Sequence, residues 1–135
     1  MANLLLHHIS LVSKNLDASA AFYRDVIGLV EVERPAFPIS GRWFRSGTVE
    51  VHLIDRPEGT YRAGRGIDHN DVHFAIRVAD FEREVARLKK LGYSDEKAES
   101  SDNALRINRG GKAGYPQLFL TDPDNHVIEI NAASL

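Results

Sequence analysis

The chain writes one pattern twice at half its own length, and that repeat restricts the fold more than any other feature. His8-Ile9-Ser10-Leu11-Val12 and His73-Phe74-Ala75-Ile76-Arg77-Val78 are both short β-like runs led by histidine. Each run is followed by a residue suited to cap a helix, Asn15 or Asp80. A helical pattern comes next and ends at a glycine, Gly28 or Gly92, in a C-cap position. The histidines stand 65 residues apart in a chain of 135, and the glycines 64 apart. The two copies are nearly in register, so the chain is expected to build one small domain from two equivalent modules, approximately 1–62 and 66–135.

Within each module the helix gives way to strands. In the first half these are expected at Leu29 to Glu33, Arg42 to Ser46 and Val49 to Asp55, with Pro35 and Pro38 breaking the segment between the first two. In the second half a weaker strand signal falls around Tyr93 to Ala98 and Ala104 to Asn108, and clear strands follow at Gln117 to Thr121 and Val127 to Asn131. Asp122-Pro123-Asp124-Asn125 turns the last two into a hairpin. The second helix repeats its apolar positions at Phe81, Val85 and Leu88, and the first at Leu16, Ala20, Tyr23 and Ile27. Each half therefore reads β-α-β-β-β, an α+β fold, with Arg56 to Asp68 as the linker. The opening run Leu4-Leu5-Leu6 is read as the start of the first strand. It is too short for a signal peptide or a membrane span.

Strand parity then sorts the polar groups, because successive side chains point to opposite faces. His8 and Ser10 oppose Ile9 and Leu11; Glu50 and His52 oppose Val51 and Leu53; His73 and Arg77 oppose Phe74 and Ile76; Glu129 and Asn131 oppose Ile128 and Ile130. One set of faces gathers His8, Glu50, His52, His73 and Glu129. A merely wet sheet face is the plain alternative, but such a face more often carries Lys, Thr and Ser. Imidazoles with one or two carboxylates suit Zn, Mn, Fe, Co or Ni. The absence of cysteine excludes disulfides, a thiolate nucleophile and Cys-ligated zinc or iron–sulfur clusters. A net charge of −2 argues against a nucleic-acid or membrane-surface partner, and the composition is compatible with the cytoplasm.

Four stretches carry a resemblance to a known family. They are Leu6-His7-His8-Ile9 with Ala21-Phe22-Tyr23-Arg24-Asp25-Val26-Ile27-Gly28-Leu29, then Trp43-Phe44 through Glu50-Val51-His52-Leu53-Ile54, then Val72-His73-Phe74-Ala75-Ile76, and last Leu118 through Asp122-Pro123-Asp124-Asn125 to Glu129-Ile130. Together they resemble the vicinal-oxygen-chelate superfamily, which includes glyoxalase I, fosfomycin-resistance thiol transferases, extradiol dioxygenases and bleomycin-binding proteins. Asn125 stands where the family usually has glycine, and Asn tolerates a left-handed backbone there.

The resemblance implies paired modules forming a cupped mixed sheet around one divalent metal ion (Zn, Ni, Mn, Co or Fe). By matching positions, His8, His73 and Glu129 are ligands, with Glu50 as a fourth and His52 as its competitor. It implies a homodimer acting on a small-molecule substrate. The expected activity is a glyoxalase-type lyase or isomerase, with Glu129 or Glu50 moving a proton while the metal stabilises an enediolate. Ser10, His52 and the basic loop of Arg106, Arg109, Lys112 and Tyr115 are candidates for holding an anionic substrate. An Fe(II) extradiol-type dioxygenase, a thiol transferase and a drug-binding resistance protein are the alternatives.

Overall fold

The computed structural model describes residues 3–135, and the chain divides into two compact units, one ending at Thr60 and the other running from Tyr61 to Leu135. Each unit carries one four-stranded mixed sheet.

In the first unit the elements are β1 (His8–Ser13), α1 (Leu16–Ala21) continuing into a π-helical turn (Phe22–Ile27), β2 (Val30–Val32), β3 (Gly41–Ser46) and β4 (Val49–Asp55). The sheet order is β1-β4-β3-β2, with β1 parallel to β4 and the other pairs antiparallel. Asn15 starts α1 as its sequence suggests, its Oδ1 accepting from the Ala18 N–H at 3.1 Å. The expected single helix instead widens after Ala21. Gly28 closes it with φ +90°, and its N–H reaches back five residues to the Tyr23 carbonyl. The wider turn lets adjacent Phe22 and Tyr23 both bury. Ala20 of α1 is buried as well, as are Phe44, Val51 and Leu53, the apolar parity face of β3 and β4.

The second unit contains β5 (His73–Arg77), α2 (Phe81–Lys90), β6 (Arg106–Asn108), β7 (Gln117–Thr121) and β8 (Val127–Asn131), in the order β5-β8-β7-β6. Asp80 caps α2 by accepting from the Arg83 N–H at 3.0 Å. Glu82 and Glu84 open the helix and Arg87, Lys89 and Lys90 close it, which complements the helix dipole. Phe81, Val85 and Leu88 bury, as their spacing predicts.

Several expected boundaries change. Strand β1 starts at His8, so Leu4, Leu5 and Leu6 lie outside it and are exposed; Met1 and Ala2 lie outside the described residues. The ladder stops there because β4, which pairs His8 with Glu50, begins at Val49 and offers almost no further backbone. The strand expected at Tyr93 to Ala98 reduces to a single bridge between Ser94 and Ala104. Ser94-Asp95-Glu96-Lys97 is polar throughout and has no apolar face to bury. The expected strands at Leu29 to Glu33 and Ala104 to Asn108 shorten to β2 and β6. Part of the expected linker is ordered. Tyr61, Arg62 and Ala63 are left-handed, and Arg62 Nη1 ties this turn to the Arg65, Gly66 and Asn125 carbonyls.

The β7–β8 hairpin is held by buried Asp122, whose Oδ1 accepts from the Asp124 and His126 N–H groups at 2.8 and 3.0 Å. Asn125 takes the left-handed backbone at φ +69°. Asp122→Ala strands two amide donors, and it is expected to lower stability by about 1–3 kcal/mol, read by urea denaturation. Asp122→Asn, which keeps an acceptor, should recover much of the loss. No described helix is long and apolar enough to cross a membrane.

Candidate functional site

Each unit places its polar strand face as a separate cluster. In the second unit, parallel pairing sets β5 against β8, so that His73 and Glu129 share one face. His73 Nε2 lies 3.5 Å from Glu129 Oε1. His73 Nδ1 is 2.8 Å from the Asp71 carbonyl oxygen, which can only accept, so Nδ1 carries a proton and Nε2 is the nitrogen that offers a lone pair in the neutral ring. The Glu129 carboxylate is buried and held at both ends: Gln117 Nε2 donates to Oε1 at 2.9 Å, and Asn131 Nδ2 donates to Oε2 at 2.5 Å. Asn131 is in turn fixed by Arg77 Nε, which donates to its Oδ1 at 2.5 Å, and the Arg77 guanidinium lies over the Tyr115 ring.

This arrangement suits a cation. Two donors on a tetrahedral ion with bonds of about 2.0–2.2 Å stand roughly 3.4 Å apart. The His73 and Glu129 atoms already have that separation. The histidine is fixed in one tautomer through its other nitrogen, and the carboxylate is oriented by amide donors, which is the supporting shell that metal ligands need.

In the first unit, β1 beside β4 sets His8 opposite Glu50 and Ser10 opposite His52. Three rings stack in a row: His8 on His52 with centroids 4.1 Å apart, and His52 on Trp43 at 3.9 Å. His52 Nε2 is 3.1 Å from Glu50 Oε1, and Arg45 donates to Glu50 Oε2 at 2.9 Å. The hydrogen bond from His52, then that from Arg45, holds the Glu50 carboxyl below the usual carboxylate range. His8 Nδ1 meets His7 Nδ1 at 2.8 Å, which leaves Nε2 as its outward nitrogen. Among the described residues, no three His, Asp or Glu side chains stand close enough together to hold an ion.

Two arginines of the basic loop carry surface ion pairs. Arg106 pairs with Glu99 at 2.6 Å, and Arg109 pairs with Glu82 at 2.7 Å. Tyr115 lies under Arg77. Lys112 is on the turn before Gly114, and Ser10 is exposed on β1. His69 packs its ring toward Phe119, and His126 is half-buried beside Tyr61. Sequence reasoning gave no role to Gln117, Asn131, Arg45 or Arg77. Asn131 carried a signal, two residues beyond Glu129 on the same strand face. Arg45 carried one as well: the turn at Gly47-Thr48 sets it directly opposite Glu50.

Comparison with known proteins agrees with this architecture. A family described as the Glyoxalase/Bleomycin resistance protein/Dioxygenase superfamily matches residues 5–130. The chain is 25% identical over 127 residues to glyoxylase I 4 of Arabidopsis thaliana, covering 93% of this chain and 68% of that protein. It is 29% identical over 134 residues to metallothiol transferase FosB of Staphylococcus epidermidis, covering 96% and 84%. A solved structure of a mutant of the fosfomycin resistance protein FosX from Listeria monocytogenes, complexed with Mn(II) and 1S,2S-dihydroxypropylphosphonic acid, superposes with a TM-score of 0.69 at 16% identity, covering 100% and 95%. With nearly its whole length matched and two β-α-β-β-β modules in place, the chain belongs to the Glyoxalase/Bleomycin resistance protein/Dioxygenase superfamily.

Proposed function

We propose that this protein is a divalent-metal enzyme acting on a small substrate with neighbouring oxygens, in the manner of a glyoxalase-type lyase or isomerase. The carrying observation is the His73–Glu129 pair, with its tautomer fixed by Asp71 and its carboxylate held by Gln117 and Asn131. His73, Glu129 and His8 are the proposed ligands, with Glu50 as the fourth in the isomerase. A divalent ion bound there supplies Lewis-acid polarisation of substrate oxygens.

The protein groups divide the remaining work. Glu50 is kept ionised by His52 and Arg45 and is therefore a weak proton acceptor at neutral pH. We assign proton transfer to the Glu129 carboxylate. Arg77, acting through Asn131, fixes the direction in which Glu129 presents its oxygens. Ser10 and His52 flank His8 as substrate contacts.

One observation favours a second reading. Glu50 is already ion-paired to the Arg45 guanidinium, whereas the partners of Glu129 are neutral amides, which supports a three-ligand site and with it a thiol transferase resembling FosB. Glu50→Gln separates the two readings. For the isomerase, we expect turnover of the methylglyoxal–glutathione hemithioacetal to fall by at least about 100-fold and bound metal to fall with it. For the transferase, metal content stays stoichiometric and metal-dependent thiol consumption with fosfomycin persists. Freshly purified protein that neither contains nor takes up Zn, Ni, Mn, Co or Fe overturns both readings.

A further inference from the structure

A second feature of the first unit lies outside these ligands. A cleft of about 370 Å³ opens beside His52, in the size range of small-molecule sites. Trp43 lines it next to Ile54, and Phe37 and Ile39, from the segment between β2 and β3, line it as well. Phe37 and Ile39 remain 51% and 53% exposed, so the lining keeps apolar surface in water that an occupant would cover. Trp43 has its ring stacked on His52, yet the residue stays partly open.

The cleft holds a single formal charge, Arg34. Its guanidinium donates to the Ile39 carbonyl at 2.8 Å and lies 4.8 Å from the Phe37 ring centre. Arg34 has no carboxylate partner among the described residues, whereas Arg42 pairs with Glu31 and Arg45 with Glu50 in the same sheet. Its Nε is buried without a hydrogen bond. Gly41 makes room for this placement: a Cβ there would lie 2.8 Å from Arg34 Nε and would collide with the Leu53 carbonyl. The cleft is thus an apolar slot with an unneutralised cation at a fixed position.

We propose that this cleft binds the hydrophobic, aryl-sized portion of a small organic anion, with Arg34 pairing its negative charge. Resting on the metal-enzyme reading, it selects substrates that carry an aromatic carboxylate-like tail. The binding itself needs no metal, so the two ideas are tested apart.

The probes are trans-cinnamate and its neutral counterpart cinnamyl alcohol, titrated into the full chain after metal removal with EDTA. Calorimetry gives affinity, and Trp43, the sole tryptophan, reports occupancy by its emission. Cinnamate is expected to change Trp43 emission and to bind at least about fivefold more tightly than the alcohol. Arg34→Gln should erase that preference while alcohol binding stays within about twofold. Ile39→Glu, on the exposed wall, should remove cinnamate binding with an unchanged circular dichroism spectrum, and it decides the matter if Arg34→Gln fails to fold. No binding of either probe, equal affinity for both, or a preference that survives Arg34→Gln in folded protein overturns the proposal. So does a cleft covered by a second copy, seen as Trp43 emission that follows protein concentration and ignores cinnamate. Failure of metal uptake with intact cinnamate binding sinks the metal reading alone.

Discussion

Glu129→Gln is expected to reduce divalent-metal affinity by about 100-fold or more, the largest functional effect of any single substitution in the second unit. The change keeps the side-chain shape and removes the charge. It also sets an amide donor against donors, because Glu129 now accepts from Gln117 Nε2 and from Asn131 Nδ2. One of those two contacts must break, so the remaining oxygen loses its aim as well as its charge. Asn131→Ala tests the shell without touching a ligand. It removes the link from Arg77 to Glu129 and should weaken metal binding by roughly 10- to 100-fold. Calorimetric titration of Zn and Mn into metal-free wild type and both variants reads these effects directly. An affinity unchanged in Glu129→Gln would remove this residue from the ligand set. An unchanged affinity in Asn131→Ala would show that the carboxylate needs no orienting amide.

What the sequence disclosed follows from what strand parity can and cannot carry. Parity alone put Glu129 and Asn131 on one face of β8, and His73 on the matching face of β5, because alternation is fixed by the backbone. The repeat supplied the element order and the caps at Asn15 and Asp80, which are local interactions within three residues. Partner choice across strands was harder to read. The Arg45–Glu50 ion pair depends on the exact position of the β3–β4 turn, and the Arg109–Glu82 pair joins groups 27 residues apart. The sequence likewise showed the charges of Arg106 and Arg109 without their carboxylate partners, Glu99 and Glu82. The strand expected near Tyr93 failed for a different reason: β propensity needs a face to bury, and Ser94 to Lys97 has none. The cleft was invisible because it depends on Gly41 admitting Arg34, a contact between a backbone and a side chain seven residues earlier.

Phe44→Ala is expected to destabilise the protein by about 3–5 kcal/mol, the usual range for deleting a fully buried aromatic ring. Phe44 is 0% exposed at the middle of β3, opposite Val51 of β4 and Glu31 of β2. Its ring stands 6.2 Å from that of Tyr23, which the π-helical turn drives into the same core. Neither neighbour can collapse into the space left behind: Val51 is fixed by the strand ladder, and Tyr23 by a helix end that Gly28 closes with a left-handed residue. A cavity term therefore adds to the lost transfer energy. Trp43, the residue before it, faces the other way and is partly open, so Trp43→Ala should cost less stability, about 1–2 kcal/mol. It should, however, unstack His52 and strip the cleft of its indole. Urea denaturation of the two variants reads the stability difference, and cinnamate titration of the same samples reads the cleft. Phe44→Ala, while folded, should keep cinnamate binding that Trp43→Ala loses. Equal stability losses for the two would mean that β3 does not divide its work between a core face and a site face.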